Sequence, residues 1–190
     1  MSLDIVIGPM FAGKSSLAIQ RLRREQYLNT KCCVITSALD TRYDLSARSL
    51  QTHDTVSGAY PAIGLQTLNE ALTLSAFLDA SFIVIDEAQF FPDLYETVMK
   101  MVETFQKKVL VVGLDGDSNR MPFAQIQSLI SKSDTCEKLT ALCSMCKDGT
   151  AALFSLRFRD APSGQICVGG KDMYTAVCRK HYLGYHAMTS

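Results

Sequence analysis

The chain has 190 residues and a mass of 20.9 kDa, with 19 Lys and Arg against 19 Asp and Glu, no formal net charge and a pI near 6.8. A hydrophobic share of 47% with 11 Gly and 5 Pro excludes a collagenous or largely disordered chain, because enough apolar surface is present to offset chain entropy. The balanced charge removes the electrostatic case for a dedicated nucleic-acid or anionic-membrane binder, and basic residues crowd only at Arg21–Arg24. Nothing approaches the ~18 consecutive apolar residues of a membrane span. Met1–Ile7 has neither a basic head nor a long apolar core of an export signal, so the expectation is a soluble, cytoplasmic protein. Seven cysteines, an odd number, then read as reduced thiols or metal ligands rather than a disulfide framework.

Short apolar runs alternate with longer segments of helical period, the pattern of a parallel sheet with crossover helices. The runs are Leu3–Ile7, Cys32–Thr36, Phe82–Ile85, Val109–Leu114 and Lys138–Leu142. Ser15–Leu28 places Leu17, Ala18, Leu22 and Leu28 on roughly one stripe and predicts an amphipathic helix. Thr67–Leu78 and Asp93–Phe105 predict two more, the second opening on Pro92-Asp93 and turning Leu94, Val98, Met101, Val102 and Phe105 inward. Arg42–Gly58 is polar and without period, which predicts a surface loop. After Leu142 the rhythm stops, and cysteines, glycines and Pro162 crowd the remainder. We therefore expect an α/β domain over 1–142 and a small subdomain over 143–190 held by something other than a large core.

Gly8-Pro9-Met10-Phe11-Ala12-Gly13-Lys14-Ser15 matches G-x-x-x-x-G-K-[ST] between an apolar strand and an amphipathic helix. Such a loop curls around phosphate oxygens, its amides and the positive end of the helix dipole pointing at the anion. Lys14 then reaches the β- and γ-phosphates, and Ser15 offers a hard oxygen to Mg²⁺. Asp86 and Glu87 emerge from the end of a buried strand, where carboxylates face the ligand crevice. Asp86 resembles a Walker-B acid for Mg²⁺, and Glu87 could accept a proton from an attacking hydroxyl, although adjacency alone does not assign the two roles. Asp115-Gly116-Asp117 stands where a GTPase would carry a guanine reader, which favours a small-molecule kinase.

Cys143-x-x-Cys146 and Cys178-x-x-His181 are two chelating pairs separated by 31 residues. Three thiolates and one imidazole suit tetrahedral Zn²⁺, and a full set of protein ligands makes the ion structural. Cys32 and Cys33 fall in a strand as packing residues, Cys136 and Cys167 have no paired partner, and His53 and His186 are expected to be solvated.

These strings, with Asp40-Thr41-Arg42-Tyr43, Asp86-Glu87-Ala88-Gln89-Phe90-Phe91-Pro92-Asp93, Leu114-Asp115-Gly116 and Gly169-Gly170-x-Asp172-x-Tyr174, together resemble the type II thymidine kinases, in order from residue 3 to about 182. The resemblance implies a P-loop NTPase-type, mainly parallel sheet with flanking helices and a zinc-binding C-terminal subdomain bearing a lasso-like loop, Lys147–Val177. It implies transfer of the ATP γ-phosphoryl group to the 5′-hydroxyl of thymidine or deoxyuridine. Glu87 falls on the general base, with Arg42 and Lys14 at the phosphates. Gly8–Ser15, Asp40, Thr41, Arg42, Asp86 and Gln89 fall on ATP-binding positions, Ser15 and Asp86 on those for magnesium. Met10, Phe90, Leu114, Ser118, Gln165, Ile166, Cys167, Val168, Gly169 and Tyr174 fall on nucleoside-binding positions. A homotetramer, feedback inhibition by dTTP, and no nucleic-acid or membrane partner are implied likewise.

Three departures stand out. Ser118 replaces an aromatic ring that packs on the base, a loss worth about 1 kcal/mol of stacking that weakens affinity or widens the pocket. Lys147–Phe158 carries one extra residue, which leaves the contact at Ser155 unassigned, and His181 stands where a fourth cysteine is common. The competing readings are another nucleoside kinase, a nucleoside monophosphate kinase, for which only Arg157 and Arg159 offer acceptor-phosphate arginines, and a zinc-stabilised ATP-binding regulatory module.

Overall fold

The computed structural model describes residues 1–39, 60–158, 164–165 and 169–187, together with the main chain of 49–50. In chain order the strands are β1 (Ser2–Ile7), β2 (Cys32–Ser37), β3 (Ser49–Leu50), β4 (Tyr60–Pro61), β5 (Ile63–Leu65), β6 (Phe82–Asp86), β7 (Lys108–Gly113) and β8 (Thr135–Lys138). Then follow β9 (Ala141–Leu142), β10 (Ala151–Ala152), β11 (Phe154–Arg157) and β12 (Tyr174–Val177). The α-helices are α1 (Lys14–Tyr27), α2 (Ser75–Asp79), α3 (Leu94–Met99), α4 (Ala124–Ile130) and α5 (Arg179–Ala187).

Six strands form one sheet in the order β5-β2-β6-β7-β1-β8, and every pairing in it is parallel. The two central strands, β6 and β7, are buried on both faces, which is why they read as unbroken apolar runs. Val6, Val34, Phe82, Val84, Leu110 and Val112 pack with Ala18, Ile19 and Leu22 of α1 on one face. Leu3, Ile5, Ile83, Ile85, Val109 and Val111 pack on the other with Leu94, Val98, Met101, Ile126 and Leu129. Each fully buried side chain of this kind contributes roughly 1.5–3 kcal/mol. The alternation has a functional result. Asp86 continues the parity of Phe82 and Val84, so its carboxylate points to the α1 face.

A second, smaller cluster holds the C-terminal part together: Ala141, Cys143, Ala152, Leu156, Ala176, Val177, Cys178 and Tyr182, with Phe11 and Ala12 of the loop after β1 packed against it. Two hairpins, β9 with β10 and β11 with β12, form its frame.

Several expectations need correction. The helix expected over 67–78 is a 3-10 turn, Leu68–Thr73, and the short α2, broken where Leu74 is extended at ψ 135°. A capping box between Thr67 and Glu70 starts the first piece. The helix over 93–105 runs as α3 and then a π-helical segment, Lys100–Thr104. That change of phase leaves Phe105 exposed, although its ring meets Phe77 edge-on at 5.3 Å. On α1 it is Ile19, not Leu28, that completes the buried stripe, because the helix ends at Tyr27 and Leu28 turns outward. The run Lys138–Leu142 divides between β8 and β9. His186, expected in solvent, packs at 4.5 Å against the ring of Tyr182. The expected loop 42–58 and His53 lie outside the described residues, apart from the main chain of 49–50 in β3, which pairs with β4.

Candidate active site

At the end of β1 the chain must turn sharply toward α1. Gly8, at φ 149°, passes so close to the neighbouring main chain that a Cβ there would lie 2.5 Å from the Leu139 carbonyl oxygen. Gly13, at φ 80°, closes the turn as the residue before the helix, a left-handed conformation that favours glycine. The first intrahelical bond runs from the Leu17 N–H to the Gly13 carbonyl at 3.0 Å, so the amides of the first turn have no partner inside the helix. The Lys14 ammonium folds over the loop and donates to the carbonyls of Gly8 and Pro9, at 3.2 and 2.7 Å. On the far side of the loop the Met10 N–H donates to the buried Ser155 hydroxyl at 2.9 Å, which ties the loop to β11.

The Ser15 hydroxyl donates to Asp86 Oδ2 at 3.4 Å, joining the helix start to the end of β6. In the neighbouring strand Thr36 stands in register with Asp86, and its buried hydroxyl has no hydrogen-bond partner among the described residues. A set of hard oxygens with one buried hydroxyl unengaged fits Mg²⁺, which keeps several of its waters. Immediately after Asp86 the main chain swings into the left-handed region at Glu87, φ 51°, so the next carboxylate leaves the strand direction and enters the cavity. Gln89 holds it there. The Gln89 amide donates to Glu87 Oε2 at 2.6 Å while its oxygen accepts the Leu114 N–H at 3.0 Å. That bridge requires Gly113 beneath it, where a Cβ would come within 2.8 Å of the Gln89 oxygen.

These groups surround a cavity of about 190 Å³. Among the expected residues, Met10, Phe11, Ala12, Gly13, Lys14, Ser15, Glu87, Gln89, Phe90, Leu114, Ser118, Gln165, Gly169 and Tyr174 line it. Gly8, Pro9 and Asp86 do not line it but bond residues that do: the first two accept the Lys14 ammonium and Asp86 the Ser15 hydroxyl. Asp40, Thr41, Arg42, Ile166, Cys167 and Val168 lie outside the described residues. Sequence reasoning missed Ser16, Asp117, Phe123 and Lys171, which also line the cavity. Phe123 is buried and offers an aromatic face on the same cavity as Ser118, but in the sequence it reads as one more apolar residue ahead of α4.

Beside this cavity Cys143, Cys146 and Cys178 bring their Sγ atoms, and His181 its Nδ1, within 4.8 Å of one another. The Nδ1 atom lies 3.5, 3.4 and 3.4 Å from the three sulfurs, and the Cys146 and Cys178 sulfurs are 3.8 Å apart. A tetrahedral ion with Zn–S of ~2.3 Å and Zn–N of ~2.0–2.1 Å sets sulfurs ~3.8 Å apart and nitrogen ~3.5 Å from sulfur, so the donor set could hold zinc. Burial pushes the Cys143 thiol up, but main-chain N–H groups of Cys178, Cys146 and Met145 and the His181 ring outweigh it and bring it down to about 6. Desolvation, and then the adjoining Cys143 thiol, push Cys146 up to about 11.

A phosphate loop between strand and helix, an acid ending a parallel strand and a second carboxylate aimed into the shared cavity define a P-loop nucleotide-binding α/β protein. The model of the thymidine kinase family matches residues 1–182. Over 186 residues the chain is 38% identical to thymidine kinase a of Arabidopsis thaliana, covering 97% of this chain and 76% of that one. It is 41% identical over 182 residues to the thymidine kinase of Vaccinia virus (strain Ankara), covering 96% and 97%, and 41% identical over 181 residues to that of Monkeypox virus, covering 95% and 96%. The chain belongs to the thymidine kinase family and is a transferase whose family implies ATP and thymidine as small-molecule substrates. No helix among the described residues is long and apolar enough to cross a membrane.

Proposed function

We propose that the cavity binds thymidine against the phosphate loop and that Glu87 removes the proton of its 5′-hydroxyl as that oxygen attacks the γ-phosphorus of ATP. The bond from the γ-phosphorus to the bridging oxygen breaks, and dTMP and ADP leave. The observation that carries this reading is the placement of Glu87: a carboxylate held at 2.6 Å by Gln89, on the same cavity as Lys14 and Ser15. A base must sit within reach of the proton it takes, and the Gln89 amide holds this carboxylate on the cavity where that hydroxyl would lie.

In this reading Gly8–Ser15 wrap the phosphates, and Lys14 exchanges its loop carbonyls for phosphate oxygens when ATP arrives. Asp40, Thr41 and Arg42 complete the nucleotide site, with Arg42 neutralising charge that develops during transfer. Ser15 and Asp86 hold Mg²⁺, which when bound neutralises the β- and γ-phosphate charge. Met10, Phe90, Leu114 and Tyr174 enclose the nucleoside, and Ser118 with Gln165 to Gly169 meets its base. Gln89 serves this site by fixing Glu87. Zinc at Cys143, Cys146, Cys178 and His181 is structural and pins the base of the loop 147–177. The chain divides functionally at 142/143, acts in the cytoplasm as a homotetramer, and is inhibited by dTTP occupying both the nucleoside and phosphate positions.

Incubation with Mg-ATP and a panel of nucleosides and nucleoside monophosphates, with products separated by chromatography, tests the assignment. Thymidine is converted to its monophosphate; product from monophosphates alone, or ATP binding with no transfer to any acceptor, would overturn it.

A further inference from the structure

Gly116, Asp117 and Ser118, within the segment Asp115–Pro122, form part of the wall of the cavity, and most of that segment's hydrogen bonds are to itself. The Asp117 carboxylate accepts the N–H groups of Asn119 and Met121, both at 2.8 Å. The Asp117 N–H donates to the Met121 carbonyl, and the Arg120 N–H returns to that of Asp117. Such a self-tied turn keeps its shape, but it needs an external anchor to keep its place. Lys138 pairs with Asp115 at its exposed end, and a buried anchor comes from α5. The Tyr182 hydroxyl donates to the main-chain carbonyl of Ser118 at 2.7 Å, and both residues are buried. The Arg120 guanidinium lies over the Tyr182 ring, 4.8 Å from its centroid, and 5.8 Å from that of Phe154. Arg120 thus holds Tyr182 both through the ring face and through a side-chain hydrogen bond to it.

Tyr182 directly follows His181, so the same helical turn that offers a zinc ligand also holds the cavity wall. We propose that Tyr182 is a positioning residue for the nucleoside: it fixes the Ser118 wall relative to the metal-binding unit, so that the zinc site sets nucleoside affinity through α5 as well as through the loop it pins. The donor set that fits zinc and the anchored wall are thus two ends of one rigid helix start. The proposal rests on reading the cavity as the nucleoside site. It concerns binding and not proton transfer, because Tyr182 contacts the wall from behind and touches no reacting atom.

The test compares Tyr182→Phe with the unaltered chain in four measurements: KM for thymidine, KM for ATP, kcat, and zinc per chain. Removing one buried hydrogen bond to the wall raises the thymidine KM roughly tenfold. The KM for ATP and kcat stay within about twofold, because ground-state and transition-state binding of the nucleoside fall together. Zinc per chain stays unchanged. An unchanged thymidine KM overturns the proposal, as does an equal loss for ATP and thymidine or a loss of zinc, since these make Tyr182 a general structural residue. Should Tyr182→Phe yield no folded chain, Arg120→Met takes its place: it removes the cation and its bond to the Tyr182 side chain but leaves the hydroxyl's bond to Ser118, and the same split is expected at about threefold. Absence of that split overturns the proposal. If the unaltered chain itself binds no thymidine by calorimetry, it is the nucleoside-site reading that fails.

Discussion

Replacing Glu87 by Gln tests the chemistry with little disturbance of the fold. The substitution keeps side-chain volume, and the new amide oxygen can still accept the Gln89 hydrogen that Glu87 Oε2 accepts at 2.6 Å. Nothing about the main-chain conformation favours the acid over the amide, so the left-handed turn at φ 51° is retained. What disappears is the ability to take a proton. General-base contributions run at about 10²–10⁴-fold, equivalent to roughly 2.7–5.5 kcal/mol of transition-state stabilisation. The hydrogen bond from Gln89 becomes neutral and weakens, which alters stability by no more than about 1 kcal/mol. Initial rates of ADP release at saturating ATP and thymidine, together with thymidine binding measured by calorimetry in the presence of Mg-ADP, separate the two effects. We expect kcat to fall at least a hundredfold with thymidine affinity within about threefold of the original. A fall of less than about tenfold in a folded, thymidine-binding variant refutes the assignment of Glu87 as the base.

Three further outcomes are expected. Ser155→Ala leaves the buried Met10 N–H without its acceptor and lowers stability by about 1–3 kcal/mol, readable as a shift in the urea midpoint; no shift means that the loop is not tied there. Cys143→Ala abolishes zinc retention and weakens thymidine binding more than ATP binding, and less than about half an ion per chain in freshly purified, unchelated protein counts against the site altogether. Burial, with the neighbouring Cys32 thiol, pushes Cys33 up from 9.0 to about 11. The unfolded chain therefore loses that proton first, and the stability contributed by the protonated Cys33 is full below pH 9 and lost as pH rises toward 11. Melting temperature in alkaline buffers should fall less steeply for Cys33→Val than for the unaltered chain, and parallel curves would contradict the assignment.

The parts of the site that are contiguous in sequence were legible before any coordinates. Gly8–Ser15 carries its meaning in fixed spacing, and Asp86-Glu87 gains its own from the buried strand before it. Cys143, Cys146, Cys178 and His181 read as one ligand set because each pair can chelate through a single turn. Contacts made across space had no such signal. Ser155 meets Met10 across 145 residues, and Tyr182 meets Ser118 across 64, and nothing local to either partner marks the pair. β5 escaped notice because three residues including Gly64 are too few to display a period. Thr67–Leu78 misled because its apolar spacing suits one helix, whereas the extended Leu74 divides it. The π-helical segment after Met99 shifted the phase of α3, which the 3.6-residue pattern could not foresee.

The bond between Met10 and Ser155 also bears on how the protein is made. The phosphate loop leaves the ribosome 145 residues ahead of its hydroxyl partner. At translation rates of about 5–20 residues per second, that interval is roughly 7–30 s. For that time the phosphate loop lacks the hydroxyl that accepts its Met10 N–H, and it gains that tie only when β11 has been made.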